Sequence, residues 1–316
     1  MTSANTIITQ RGRIAVVGSA NVDLTTFATR FPRAGETILG DRFELGWGGK
    51  GANQAVAARL CGADVAMVAC VGDDLFGPGT IDNLASHGID TSHVRRVSGV
   101  STGVAPIFVD PDGTNRIFVV KGANDALTTA DIDAATPLLS HVDSIVLQFE
   151  IPLDVVAHTV RLAHHHRIRT IVNPAPAQKI DLSTLACVDY FIPNETEAEA
   201  ITGLPLRSID DARACATHIL ALGPQAVIIT LGAQGALLAR DGQTDLLPGY
   251  EVPVYDTTGA GDAFVGSFAT FLCEGLPERE AIARANLYAA LSTMSPGTQK
   301  SFVTREQFES EWRRRR

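Results

Sequence analysis

Apolar runs of strand length alternate with segments of helical length along most of this chain. Arg13-Ile14-Ala15-Val16-Val17-Gly18 reads as a buried first strand closed by glycine. Ala52–Leu60 has helical length, Val65–Val71 is a second buried strand, and Leu75–His87 predicts a helix. From Asp125 the βα rhythm continues, with strands at Ile145–Phe149, Thr170–Val172, Tyr190–Ile192 and Val227–Leu231. Helices are expected between or after them at Leu153–His165, Asp210–Leu222 and Ala263–Leu272. Strands that are apolar throughout and alternate with helices predict a mainly parallel central sheet covered by helices on both faces, an α/β fold.

Two stretches interrupt the rhythm. Thr37–Leu45 alternates loosely, as a strand would. Val104–Val109 and Arg116–Val120 flank Asp110-Pro111-Asp112-Gly113-Thr114, a hairpin signal. Together they predict a small β-sheet set apart from the core, from about 24–47 and 100–121, within a single domain spanning 1–316. No internal repeat stands out, which excludes a solenoid.

Polar residues collect where the core strands end: Asn21 and Asp23, Glu150, Asn173, Asn194 and Thr230. Ligands of open α/β sheets bind at the carboxyl ends of strands. Asn21 and Asp23 are two apart, so an extended backbone turns both to one face, where short polar groups suit vicinal hydroxyls; a plain Asx turn is the alternative. In Gly46-Trp47-Gly48-Gly49-Lys50-Gly51-Ala52-Asn53, the glycines formally match a dinucleotide fingerprint. That fingerprint belongs directly after the first strand, and here the first strand leads elsewhere. Lys50 is followed by glycine, so the stretch is no Walker loop. It reads instead as a flexible turn whose amides, with Lys50 and Asn53, grip a polyhydroxylated ligand.

The run Tyr255-Asp256-Thr257-Thr258-Gly259-Ala260-Gly261-Asp262-Ala263 enters an apolar helical segment. First-turn amides lack helical partners and the helix dipole makes that end positive, so glycines there admit an anion. Asp262 is either an ordinary helix-start carboxylate or a base that takes the proton of a hydroxyl attacking phosphorus.

Composition narrows the partners. The 316 residues carry a formal charge of −9, which argues against nucleic acid, and the lone basic block, Arg313–Arg316, reads as a solvated tail. No apolar run approaches a membrane span, and Met1–Gln10 is polar and lacks a signal core. Five cysteines without a CxxC pair fit buried thiols in a reducing cytoplasm. The run His164-His165-His166 cannot share one ion from a helix, because adjacent residues point apart.

These motifs, in order, resemble those of the ribokinase-like sugar kinases. The match rests on Gly48-Gly49-Lys50-Gly51-Ala52-Asn53-Gln54-Ala55, Asn173-Pro174-Ala175-Pro176-Ala177 and Pro193-Asn194-Glu195-Thr196-Glu197-Ala198-Glu199. Thr230-Leu231-Gly232-Ala233-Gln234-Gly235 and Asp256-Thr257-Thr258-Gly259-Ala260-Gly261-Asp262 complete it, from about Ile14 to Ser301. The resemblance implies ATP-dependent phosphorylation of the 5-hydroxyl of D-ribose. Another furanose (2-deoxyribose, fructose or a nucleoside) is the competing substrate reading, and a silent sugar or nucleotide sensor the remote one. It further implies that Asn21, Asp23, Gly49, Lys50, Asn53 and Glu150 hold the sugar. Asp262 would be the base, with an anion hole from Gly259, Ala260, Gly261 and Asp262. Asn194, Thr230, Gly232, Gly235, Gly261 and Asn286 would surround ATP, and Glu197 would organise Mg²⁺ through water. Asp256, Thr258, Ser292, Ser295, Gly297 and Ser301 would form a K⁺ loop. The small sheet would be a lid and a homodimer interface.

Overall fold

In the computed structural model, which describes residues 11–178 and 182–315, the apolar runs become thirteen strands in two sheets. Met1–Gln10 and the last arginine of the basic block lie outside the described residues. The strands, in chain order, are β1 (Arg13–Val17), β2 (Asn21–Phe27), β3 (Arg42–Gly48), β4 (Asp64–Gly72), β5 (Asp90–Val97), β6 (Gly103–Val109) and β7 (Asn115–Ile117). Then come β8 (Ser144–Gln148), β9 (Arg169–Asn173), β10 (Tyr190–Phe191), β11 (Ala226–Thr230), β12 (Ala236–Arg240) and β13 (Gln243–Leu247). The large sheet runs β13-β12-β11-β10-β9-β8-β1-β4-β5. Its pairings are parallel except at one edge, where β12 and β13 run antiparallel. β13 and β5 carry part-exposed positions that the search for fully apolar runs passes over, whereas β12 is buried up to Arg240.

Alternation along β1 shows how the sheet is covered. Ile14 and Val16 pack on one side with Val56, Phe268 and Tyr288. Ala15 and Val17 pack on the other with Leu147, Val156 and Ile219. The first side is covered by α1 (Lys50–Leu60), and the same chain then forms α2 (Gly77–Ser86). The second side carries α3 (Thr129–Leu139), α4 (Leu153–His166), α5 (Glu195–Thr202) and α6 (Ile209–Leu220), whose apolar residues join that core. The chain returns to the first side in α7 (Ala260–Cys273), α8 (Glu278–Ser292) and α9 (Arg305–Arg314).

Helices α1 and α7 lie against each other unusually closely. A β-carbon at Gly266 would collide with the Gln54 carbonyl. This approach brings the first turns of α1 and α7, and so Asn53, Gln54 and Asp262, to one place.

The second sheet has the order β3-β2-β6-β7. Two boundaries differ from the sequence reading. The strand expected at Thr37–Leu45 is Arg42–Gly48, because Trp47 and Gly48 pair with Val22 and Asn21 while residues 37–40 lie outside any strand. The second hairpin arm is only Asn115–Ile117, followed by an isolated Val104–Val120 bridge. Asn21 and Asp23 belong to this sheet, beyond the end of β1. They face one way along β2, opposite Gly48 and Gly46. Phe43, Leu45, Phe108, Ile117 and Phe118 leave much of their area in solvent.

Among the described residues no helix is long and apolar enough to cross a membrane. All five cysteines are free thiols, three of them buried. The three consecutive histidines form the exposed last turn of α4.

Candidate active site

Helix α7 starts where Gly259 adopts φ +79°, a left-handed turn that favours glycine. The first helical bond joins the Ala263 amide to the Gly259 carbonyl at 2.8 Å, so the preceding amides lie outside the helical ladder. Ala260 spends its amide on the Thr257 carbonyl at 3.2 Å. Gly261 and Asp262 line the adjacent cleft, and a β-carbon on Gly261 would meet nothing within 4 Å. That combination of helix N-terminus and empty cradle fits a phosphate.

The cleft holds about 160 Å³. Lys50, Asn173, Asn194, Glu197, Thr230, Gly259 and Asp262 contribute to it, so residues spread over more than 200 positions meet at the carboxyl ends of β9, β10 and β11. Asp262 is 7% exposed. Its two oxygens accept from Asn53 Nδ2 and Gln54 Nε2, each at 2.9 Å. Burial raises this carboxyl above its ordinary range; Lys50 and the two amides oppose that, and Glu150 adds to it.

The predicted sugar residues gather on the other flank. Gly49 caps α1 at φ +87°, against the amide of Asn21. Glu150 accepts from the Lys50 amide at 3.0 Å and from the Ser19 hydroxyl at 2.5 Å. Asn21 accepts from Asn124 Nδ2 at 2.7 Å, leaving its own amide nitrogen for other partners. Asp23 is pushed up to about 7 by burial, then by the charges of Glu150 and Asp262. Burial acts to lower the Lys50 ammonium, but Asp262, Glu150 and Glu197 outweigh it and raise it. Lys50 is thus the local counter-charge for a group of carboxylates.

Asn194 and Thr230 flank the cleft and are bridged to each other. Asn194 and Glu197 form a reciprocal cap on α5: the Glu197 amide donates to Asn194 Oδ1 at 2.8 Å, and Glu197 accepts from the Asn194 amide at 2.8 Å. Glu197 is 6% exposed, and burial raises its carboxyl despite that bond and Lys50. Gly232, Gly235 and Asn286 lie beyond the cleft lining. Gly235 and Asn286 meet around the end of β13: a β-carbon at Gly235 would strike Leu247 O, and Asn286 Nδ2 donates to Leu247 O and Pro248 O at 3.0 and 3.1 Å, while Gly232 accepts from the Gly235 amide at 3.1 Å.

Below the anion site, Asp256 accepts from the Thr258 amide and hydroxyl at 2.9 and 2.6 Å and from the Gly297 amide at 2.9 Å. Ser292 and Ser301 turn their hydroxyls to Ala289 O and Thr298 O, both at 2.8 Å, and Ser295 is exposed. Burial raises the Asp256 carboxyl, but these donors outweigh it and leave it below its ordinary value. Asp256, Thr258 and Gly297 are thus joined by hydrogen bonds, and carboxylate, hydroxyl and carbonyl oxygens of this kind suit a hard cation.

Several polar residues around Asp262 escaped the sequence reading. Gln54 and Gln148 are fully buried, and Gln148 Nε2 donates to Gln54 Oε1 at 2.6 Å. Gln299 Nε2 reaches Asn53 Oδ1 at 3.1 Å. The available signal was Gln54 itself, a polar residue in an otherwise small and apolar stretch of α1.

A parallel α/β sheet with a side sheet, a helix-start anion cradle and a buried carboxylate beside it define a phosphotransferase architecture. The model of the pfkB family of carbohydrate kinases matches residues 11–305. The chain is 44% identical to a deoxyribokinase of Salmonella typhi, over 93% of this chain and 97% of that one. It is 40% identical to a ribokinase of Bacillus subtilis, over 94% and 98%. It superimposes on the structure of Arabidopsis thaliana ribokinase complexed with ribose and ATP with a TM-score of 0.90 at 29% identity, covering 95% of this chain and 98% of that one. The chain belongs to the pfkB family of carbohydrate kinases, and is a sugar kinase of the ribokinase type.

Proposed function

We propose that this enzyme transfers the γ-phosphoryl group of ATP to the 5-hydroxyl of D-ribose. The observation that carries the reading is the buried Asp262 carboxylate at the start of α7, beside an open phosphate cradle and facing Lys50. Asn21, Asp23, Gly49, Lys50, Asn53 and Glu150 hold the sugar. Asn194, Thr230, Gly232, Gly235 and Asn286 border the nucleotide. The amides of Gly261 and Asp262 face the transferring phosphoryl, and Asp262 takes the hydroxyl proton as the O–P bond to the sugar forms and the bond to the β-phosphate breaks, releasing ADP. Phosphoryl transfer passes through a loose transition state, so positioning and charge stabilisation do most of the work.

Glu197, a buried carboxylate on the cleft, fits an Mg²⁺ held through water, which would travel with the nucleotide and neutralise its phosphates. Asp256, Thr258, Ser292, Ser295, Gly297 and Ser301 fit K⁺, which would set the turn ahead of Gly259. The small sheet acts as a lid: Asn21 and Asp23 ride on β2, so its closure would both place the sugar and exclude competing water.

The similarity to a deoxyribokinase favours a second reading, 2-deoxyribose as the sugar. The polar residues of the sugar flank favour ribose, because a site built to bond the 2-hydroxyl leaves buried groups unpaired when that hydroxyl is missing. ADP release with ribose, 2-deoxyribose, fructose and adenosine, in K⁺ and in Na⁺, tests both points. The expected result is a preference for ribose with higher turnover in K⁺. Equal or better use of 2-deoxyribose moves the substrate assignment, and indifference to the cation removes the K⁺ loop.

The exposed apolar residues of the small sheet are the basis for a homodimer joined through it; Phe118 alone is 64% exposed. Light scattering should give twice the 33.5 kDa of one chain. A monomer mass at micromolar and higher concentrations would rule the dimer out.

A further inference from the structure

We propose that Gln54 and Gln299 are positioning residues: two relays of side-chain amides converge on Asp262, one on each oxygen, and fix how the base meets the sugar hydroxyl. The inference rests on Asp262 being the base.

An ionised carboxylate only accepts hydrogen bonds. Both amides beside Asp262 must therefore turn their NH₂ groups toward it, leaving their carbonyls to accept from elsewhere. Each carbonyl has a donor. Gln148 Nε2 meets Gln54 Oε1 at 2.6 Å, completing Gln148→Gln54→Asp262 Oδ1. Gln299 Nε2 meets Asn53 Oδ1 at 3.1 Å, and Asn83 Nδ2 meets Gln299 Oε1 at 2.9 Å, completing Asn83→Gln299→Asn53→Asp262 Oδ2. A flip of Gln54, Asn53 or Gln299 would set NH₂ against NH₂, and a flip of either end amide, Gln148 or Asn83, would set carbonyl against carbonyl, so the polarity of each chain is self-enforcing. Gln54 is pinned further by donating to Asn173 Oδ1 at 3.1 Å, while Asn173 Nδ2 holds Ile192 O at 2.8 Å. Gln54, Gln148 and Asn53 are buried, where a misplaced polar group is costly.

The second relay has a distinct origin. Gln299 opens the short helical turn Gln299–Ser301, directly after Gly297 and Thr298. Displacement of that loop would reach the base through Gln299 and Asn53.

The other groups acting on Asp262 are charged: Lys50 at the start of α1, Glu150 after β8, Asp23 on β2 and Glu197 on α5. None of them depends on either relay for its charge. The relay amides favour the ionised base, so their loss should move its titration upward.

The test is the pH profile of kcat in Gln54→Leu and Gln299→Leu, with Asp262→Asn as control. For Gln54→Leu we expect kcat to fall at least about tenfold, sugar KM to stay within a few-fold, and the acid limb to move up by about one unit. Gln299→Leu should move the limb the same way by less, and raise the K⁺ concentration needed for half-maximal rate. If Gln54→Leu does not fold, Gln299→Leu reads the same limb. A reduced rate with the limb unmoved in both variants overturns the relay while leaving the base in place. Turnover retained in Asp262→Asn overturns the base reading itself.

Discussion

Asp262→Asn should lower kcat by about 10²–10⁴-fold, the span a positioned general base usually contributes. Sugar affinity, measured by calorimetry, should stay within a few-fold. The two effects separate because the substitution preserves shape at a buried position on α7 while removing the ability to take a proton. One of the two amides from Asn53 and Gln54 loses its acceptor, since an asparagine offers a single carbonyl oxygen where the carboxylate offered two. An orphaned buried donor costs about 1–3 kcal/mol. Removing a charge buried beside Glu150 offsets part of that, so melting should change far less than turnover. The native enzyme carries a further signature. Burial places the Asp262 carboxyl above its ordinary range, and the base is competent only when ionised. Activity should therefore fall as pH drops through that raised value, at a higher pH than an exposed aspartate would give. Near-native turnover in Asp262→Asn would end the assignment.

Gly261→Ala should lower turnover by about 10²-fold, comparable to the loss of an oxyanion-type donor, with stability held or slightly raised. The methyl group meets no protein atom within 4 Å, and alanine in a helix is favoured over glycine by about 0.5–1 kcal/mol. What it enters is the space where the transferring phosphoryl would approach the helix-start amides. Gly259→Ala makes the contrast. That position needs φ +79°, and a β-carbon there collides with Thr298, so both folding and activity should suffer. Thermal melting paired with ADP release distinguishes the cases. A Gly261→Ala enzyme with native turnover would show that no phosphoryl group uses this cradle.

Apolar runs of strand length, glycine turns and the order of motifs along the chain determined the central sheet, its covering helices and the location of Asp262, Lys50 and Asn194. These are local signals. A run such as Ile14–Val17, with its alternate side chains committed to two cores, has one stable environment, a sheet covered on both faces. Weaker local patterns were misjudged. β3 is displaced toward Trp47–Gly48 because β2 supplies its partners, and a strand's limits depend on what it pairs with as well as on its own residues. The edge strand β13 is only partly apolar, so periodicity alone passed it by.

Tertiary structure alone decided how the site is wired. Gln54 and Gln299 are 245 positions apart; Gln54 reaches Asp262 because α1 packs tightly on α7 at Gly266, and Gln299 acts on it through Asn53. A glutamine in a helix looks the same in sequence whether it faces solvent or a buried carboxylate. Its role is set by which amides and carboxylates the fold leaves within hydrogen-bonding distance, and that is a property of long-range packing. The same holds for the titration of Asp23 and Asp262: the sequence supplies the carboxylates, and burial, with Glu150 nearby, supplies the upward shifts, which Lys50 opposes at Asp262.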